Sequence, residues 1–112
     1  MRHFDAIRVS SSLIVLDKFY LFFRSLMRYT ETLDLDSNFF VSAIPTTIGQ
    51  VTSLRSIRLG TNVLDGPLPS EIGNLVNLTN LELQNNFLSG ALPAEVIALN
   101  IENLNLTGNL IV

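Results

Sequence analysis

Aliphatic residues return along this chain at two superimposed periods. Within short stretches they alternate, Leu33 with Leu35, Ile57 with Leu59, Leu81 with Leu83 and Leu104 with Leu106, each pair flanking one polar residue. Such alternation puts the leucines on one face of a strand and the intervening residues on the other. The stretches recur every 24 residues, with a last step of 23. Further apolar columns keep that step: Phe40, Leu64, Leu88 and Ile111; Ile44, Leu68 and Leu92; Ile48, Ile72 and Val96; Val51, Leu75 and Leu99. A fixed period of this length predicts a solenoid, in which no unit buries its apolar face alone and stability comes from stacking. Four parallel strands about 4.8 Å apart follow, with leucines turned inward.

Polar residues repeat in the same register. Asn38, Asn62, Asn86 and Asn109 each fall just past a predicted strand. They read as a structural ladder whose side-chain amides satisfy backbone groups of neighbouring coils. Losing one would leave buried polar groups unpaired, at about 1–3 kcal/mol. Gly66 and Gly90 suit turns that need unusual dihedrals. Pro45, Pro69 and Pro93 also keep the step of 24; a proline fixes φ where no ladder hydrogen bond is donated.

These residues carry a resemblance. Leu54-x-x-Ile57-x-Leu59-x-x-Asn62-x-Leu64-x-Gly66-x-Leu68-Pro69-x-x-Ile72-Gly73 resembles the plant-type leucine-rich repeat, LxxLxLxxNxLxGxIPxxIG. The units are 30–53, 54–77, 78–100 and a partial 101–112. The first departs from the pattern, with Thr30 at the leading leucine and Ser42 in place of glycine. The fold the resemblance implies is an α/β repeat: a right-handed leucine-rich-repeat solenoid with a short parallel sheet on its concave face and an N-terminal helix.

Residues 1–29 obey other rules. They hold Arg2, Arg8, Lys18, Arg24 and Arg28 against Asp5 and Asp17, whereas residues 30–112 hold only Arg55 and Arg58 against eight acids. Phe4, Ile7, Val9, Ser12 and Ile14 fit a degenerate first coil. Residues 13–28 read as an amphipathic helix: Leu13, Leu16, Tyr20, Phe23 and Met27 share one face, and Asp17, Arg24, Ser25 and Arg28 lie opposite. Such a helix could cap the first coil or lie on a membrane surface. Asp17-Lys18 interrupts its apolar runs, far short of the roughly 20 residues of a membrane span, so no span is expected within this chain. The same interruption, and the lack of a small-residue cleavage site, argues against a secretory signal.

Composition removes whole classes of function. Hydrophobic residues make up 47% and charged residues 15%, which excludes a disordered tail. Cysteine is absent and His3 is the one histidine, so a thiol nucleophile, a zinc site or a histidine triad has no residues to build on. A net charge of −3 argues against nucleic acid. No catalytic residue, cofactor or metal site is predicted. Asp34 and Asp36 share a strand face, but on an open, solvated sheet they offer no acid–base chemistry.

What remains is binding. The residues predicted to face outward from the concave strands include Asp34, Asp36, Arg58, Glu82, Gln84 and Asn105, with charge alternating from Asp34 through Arg58 to Glu82. They could pair with one another across strands or receive a ligand with basic groups. The resemblance to receptor-like kinase and receptor-like protein ectodomains implies a non-catalytic module that binds a protein or peptide. It also implies an extracellular or membrane-associated setting, although the family's paired-cysteine cap is missing. Four strands span about 15–20 Å, whereas a standard interface buries about 800 Å² per partner, so the chain reads as a fragment of a longer array. The alternative is a purely structural capping segment without ligand contact. Asn77-Leu78-Thr79 and Asn105-Leu106-Thr107 are glycosylation acceptors, of which Asn105 falls on the binding face itself. An uncapped last coil predicts edge-to-edge self-association.

Overall fold

The computed structural model describes residues 29–112 in full and the backbone of residues 6–8. The other features expected of residues 1–28, including the amphipathic helix over 13–28, lie outside the described residues.

The inner sheet contains five parallel strands rather than the four that the repeat count predicts. They are β1 (Ala6–Arg8), β2 (Thr32–Asp34), β4 (Ser56–Arg58), β6 (Asn80–Glu82) and β8 (Asn103–Asn105), in the order β1-β2-β4-β6-β8. The register sets Ile7 opposite Leu33, Leu33 opposite Ile57, Ile57 opposite Leu81 and Leu81 opposite Leu104. The period of 24 is therefore the step from β2 to β4 and from β4 to β6, with 26 residues from β1 to β2 and 23 from β6 to β8. Backbone bonds carry the pairing past each strand's end, as in Leu59 N–H to Glu82 C=O at 2.8 Å and Thr61 N–H to Gln84 C=O at 2.8 Å.

A second, outer sheet was not foreseen in the sequence. It pairs β3 (Val41–Ser42), β5 (Val63–Pro67), β7 (Phe87–Gly90) and β9 (Leu110–Ile111) in parallel. In β5 and β7 a single side chain, Leu64 or Leu88, is buried, and Asp65, Gly66 and Pro67 are residues that strands disfavour. Stacking of coils, not local preference, makes these strands. Gly66 and Gly90 take φ of 73° and 80°, as turns needing unusual dihedrals require. Ser42, in the same column, is held at φ 72° without glycine's freedom.

Each full coil closes through a short helix. Pro45, Pro69 and Pro93, all extended, immediately precede 3₁₀ turns at Thr46–Gln50 and Ser70–Asn74 and an α-helix at Ala94–Ile97. The coil with the α-helix is the one that is a residue short, and Asn100 behind it adopts φ 58°. No helix among the described residues is long and apolar enough to cross a membrane.

The core is one continuous stack. Leu35, Leu59 and Leu83 are fully buried, as are Phe40, Leu64 and Leu88 beneath the outer sheet and Leu54 and Leu75 near the returns. Burial falls toward the last coil: Leu92 and Leu99 are only partly buried, and Leu104 is 38% exposed although its column neighbour Leu81 is 0%. The same residue in the same register is buried or not according to the coil beside it.

Candidate interaction face

The asparagine column ties the two sheets together. Asn62 donates from Nδ2 to Leu35 C=O of the preceding coil and Leu59 C=O of its own, each at 3.0 Å, and its Oδ1 accepts from Phe40 N–H at 3.0 Å. Asn86 does the same with Leu59, Leu83 and Leu64, at 3.0, 3.1 and 3.0 Å. Asn109 repeats it with Leu83, Leu106 and Leu88 at 2.8, 3.2 and 3.0 Å. Asn38 donates to Leu35 C=O at 3.0 Å and Asp36 C=O at 3.1 Å. Each amide of the last three takes carbonyls leaving the inner sheet and receives the N–H that begins the outer strand of the coil before. A fixed turn results, with Ser37, Thr61 and Asn85 held in the left-handed region at its corner.

That turn fixes which side chains the inner sheet shows. The central row is Asp34, Arg58, Glu82 and Asn105 at aligned register positions, and Arg8 of β1 is the register partner of Asp34. Arg58 bridges its two neighbours: Nη1 lies 3.0 Å from Asp34 Oδ2, and Nε lies 3.4 Å from Glu82 Oε2. Asn80 Nδ2 donates to Glu82 Oε2 and Ser56 Oγ, both at 2.8 Å. The fully solvated Asp34 expected from the sequence needs correcting. It is only 6% exposed, because β1 pairs along one side of its strand while the Arg58 guanidinium covers the other. Burial beside a guanidinium makes Asp34 an anchor of the row rather than a free contact point.

The remaining residues singled out from sequence are half-buried. Asn105 folds onto its own strand end, its Oδ1 accepting from Thr107 Oγ1 at 2.8 Å and Thr107 N–H at 3.2 Å. Asp36 Oδ2 accepts from Ser37 Oγ at 3.2 Å. Asp36 and Gln84 both lean over Gly60, which stands between them in the sheet: a Cβ at Gly60 would lie 2.6 Å from Asp36 Oδ1 and 2.6 Å from Gln84 Nε2. A side chain at Gly60 would displace the ends of Asp36 and Gln84. Asn77 lies exposed on the turn ahead of β6, and Thr79 of its acceptor triplet donates to Arg55 C=O at 3.1 Å.

One feature escaped the sequence reading. Phe39, Val63, Phe87 and Leu110, each just after a column asparagine, are 61%, 39%, 56% and 66% exposed. Their shared step of 24, 24 and 23 was the available signal.

Comparison with known proteins agrees with this architecture. Residues 53–75 and 77–99 match the Leucine Rich Repeat family. Among solved structures, the BIR3–SERK2 complex from Arabidopsis thaliana is 29% identical, with TM-score 0.76 over 90% of this chain and 52% of that one. The ectodomain of the Arabidopsis thaliana receptor kinase GASSHO1/SCHENGEN3, solved with CASPARIAN STRIP INTEGRITY FACTOR 2, is 37% identical, with TM-score 0.72 over 79% of this chain and 11% of that one. A plant ice-binding protein is 27% identical, with TM-score 0.77 over 95% of this chain and 34% of that one. The chain thus spans about half or less of each of these relatives. A search of curated proteins returns no match.

Proposed function

We propose that this chain, a leucine-rich-repeat protein of the plant type, is a non-catalytic docking module whose inner sheet receives an extended protein or peptide segment bearing basic groups. One observation carries the reading: among the outward residues of β2, β4, β6 and β8 and their continuations, the half-buried carboxylates Asp36 and Glu82 face out, while Arg58, the one cation of these strands, is shared between buried Asp34 and Glu82. Aligned strands about 4.8 Å apart put those charges on one surface, where they attract and orient a cationic segment. Two of the similar structures are complexes, one between two named proteins and one with a named factor. The ectodomain character of the second supports an extracellular or membrane-associated setting, and exposed Asn77 supports a glycan outside the docking face. Further repeats would supply the area that tight binding needs.

A displayed library of random peptides tests the reading. Peptides retained by the protein are expected to be enriched in arginine and lysine, and to be lost from the double charge reversal Asp36→Lys, Glu82→Lys. Retained peptides without basic residues, or retention by the reversed protein, would overturn it. The purely structural alternative draws on the self-pairing of Arg58 with Asp34 and Glu82, and it predicts that no peptide is retained.

A further inference from the structure

Within the docking reading, on which this step rests, the inner face is not uniformly available. Asp34 and Glu82 are engaged by Arg58, and Glu82 also by Asn80. Asp36 differs. Its Oδ1 is buried and no hydrogen-bond donor reaches it among the described residues, although Oδ2 has Ser37. Gln84 Oε1 and Asn80 Oδ1 are likewise buried acceptors without a donor. A buried acceptor left unpaired is unfavourable, and more so when it belongs to a carboxylate. The deficit on this part of the face is therefore one of donors and of positive charge.

Space points to the same place. Gly60 does not need glycine for its backbone, since its φ is not positive. Its missing side chain leaves room that Asp36 Oδ1 and the flexible end of Gln84 now fill. The amide NH₂ of Gln84 lies over this notch as a planar nitrogen donor on a flexible stem. Rotating that stem aside opens the notch to a larger planar donor.

We infer that the notch formed by Asp36, Gly60 and Gln84 receives an arginine guanidinium of the docked segment. A guanidinium presents five N–H donors in a rigid plane, pairs in bidentate fashion with a carboxylate and keeps its charge at every physiological pH. A lysine ammonium lacks the plane needed to address Asp36 Oδ1 and Gln84 Oε1 together. The notch selects arginine over lysine.

N-acetyl-arginine methylamide is the probe, followed through the backbone amide of Gly60 and the side-chain amide of Gln84 by nuclear magnetic resonance. Saturable shifts centred on those groups are expected, with the lysine analogue weaker and the uncharged citrulline analogue without effect. Asp36→Asn should weaken binding by at least about tenfold and Gln84→Glu should strengthen it several-fold. Neither variant loses a core contact, and an unchanged unfolding midpoint confirms that each folds. Shifts spread evenly over the acidic surface, or indifferent to Asp36→Asn, would overturn the inference. If library peptides bind and are lost on Glu82→Lys but not on Asp36→Asn, the notch fails and the docking reading stands. If arginine binds the notch while no peptide is retained, the docking reading fails and the notch stands.

Discussion

The inner and outer sheets are made by the same coils, yet they present opposite surfaces. On the inner sheet, partners from β2 to β6 are 24 residues apart and those of the shortened last step 23, so repeat-equivalent residues stand side by side. On the outer sheet partners are 22 apart, Val41 with Val63 and Asp65 with Phe87, and 21 apart in the shortened last step, so equivalent residues are staggered by two positions. Alignment lets a column of the sequence become a row of touching groups, as Asp34, Arg58 and Glu82 do. Stagger sets the exposed Phe87 beside Asp65 instead of beside Val63. A column in a repeat becomes a continuous functional row only where repeat length and strand register agree.

The comparison can be broken or sharpened by substitution. Leu81→Ala, in the buried inner row, should cost about 2–5 kcal/mol in equilibrium denaturation, whereas Leu104→Ala in the same row should cost under about 1 kcal/mol, because its neighbour covers it on one side only. Equal losses would mean that burial is not lent by adjacent coils. Asn86→Ala removes the link between the sheets and should cost about 1–3 kcal/mol by urea unfolding. Ser42→Gly should stabilise by about 1 kcal/mol, since the strained φ of 72° then falls to a residue that tolerates it. Thermal melts showing no gain would mean that the outer turn is not strained there. Phe87→Ser, on the outer surface, should change stability by no more than about 0.5 kcal/mol and leave peptide retention intact. Lost retention would move the docking site to the outer sheet.

The inner sheet was legible because alternating leucines and the asparagine column are local signals with one geometric solution. The outer sheet was not, since a single inward leucine beside Asp65, Gly66 and Pro67 does not spell a strand; its partners come only from neighbouring coils. The fifth inner strand was obscured for a related reason: Ile7 fits the template, but so does any apolar stretch. At the candidate face the sequence named the residues and offered their cross-strand pairing as one of two states, but not the burial of Asp34. That Asp34 is buried follows from β1 on one side and Arg58 on the other, neither of which composition reveals. Gly60 carried no sequence signal of its own; its place beneath Asp36 and Gln84 comes from the strand register.

The central claim is that the asparagine column and the stacked leucines make neighbouring coils one cooperative unit, which holds the inner row in line. Native-state hydrogen exchange on Asn86→Ala tests it most directly, because Asn86 accepts from Leu64 N–H of the coil before its own. Amides of Leu64 and Leu88 should lose protection together, with loss spreading through both coils 54–77 and 78–100. Loss confined to the coil that carries the substitution would contradict the account.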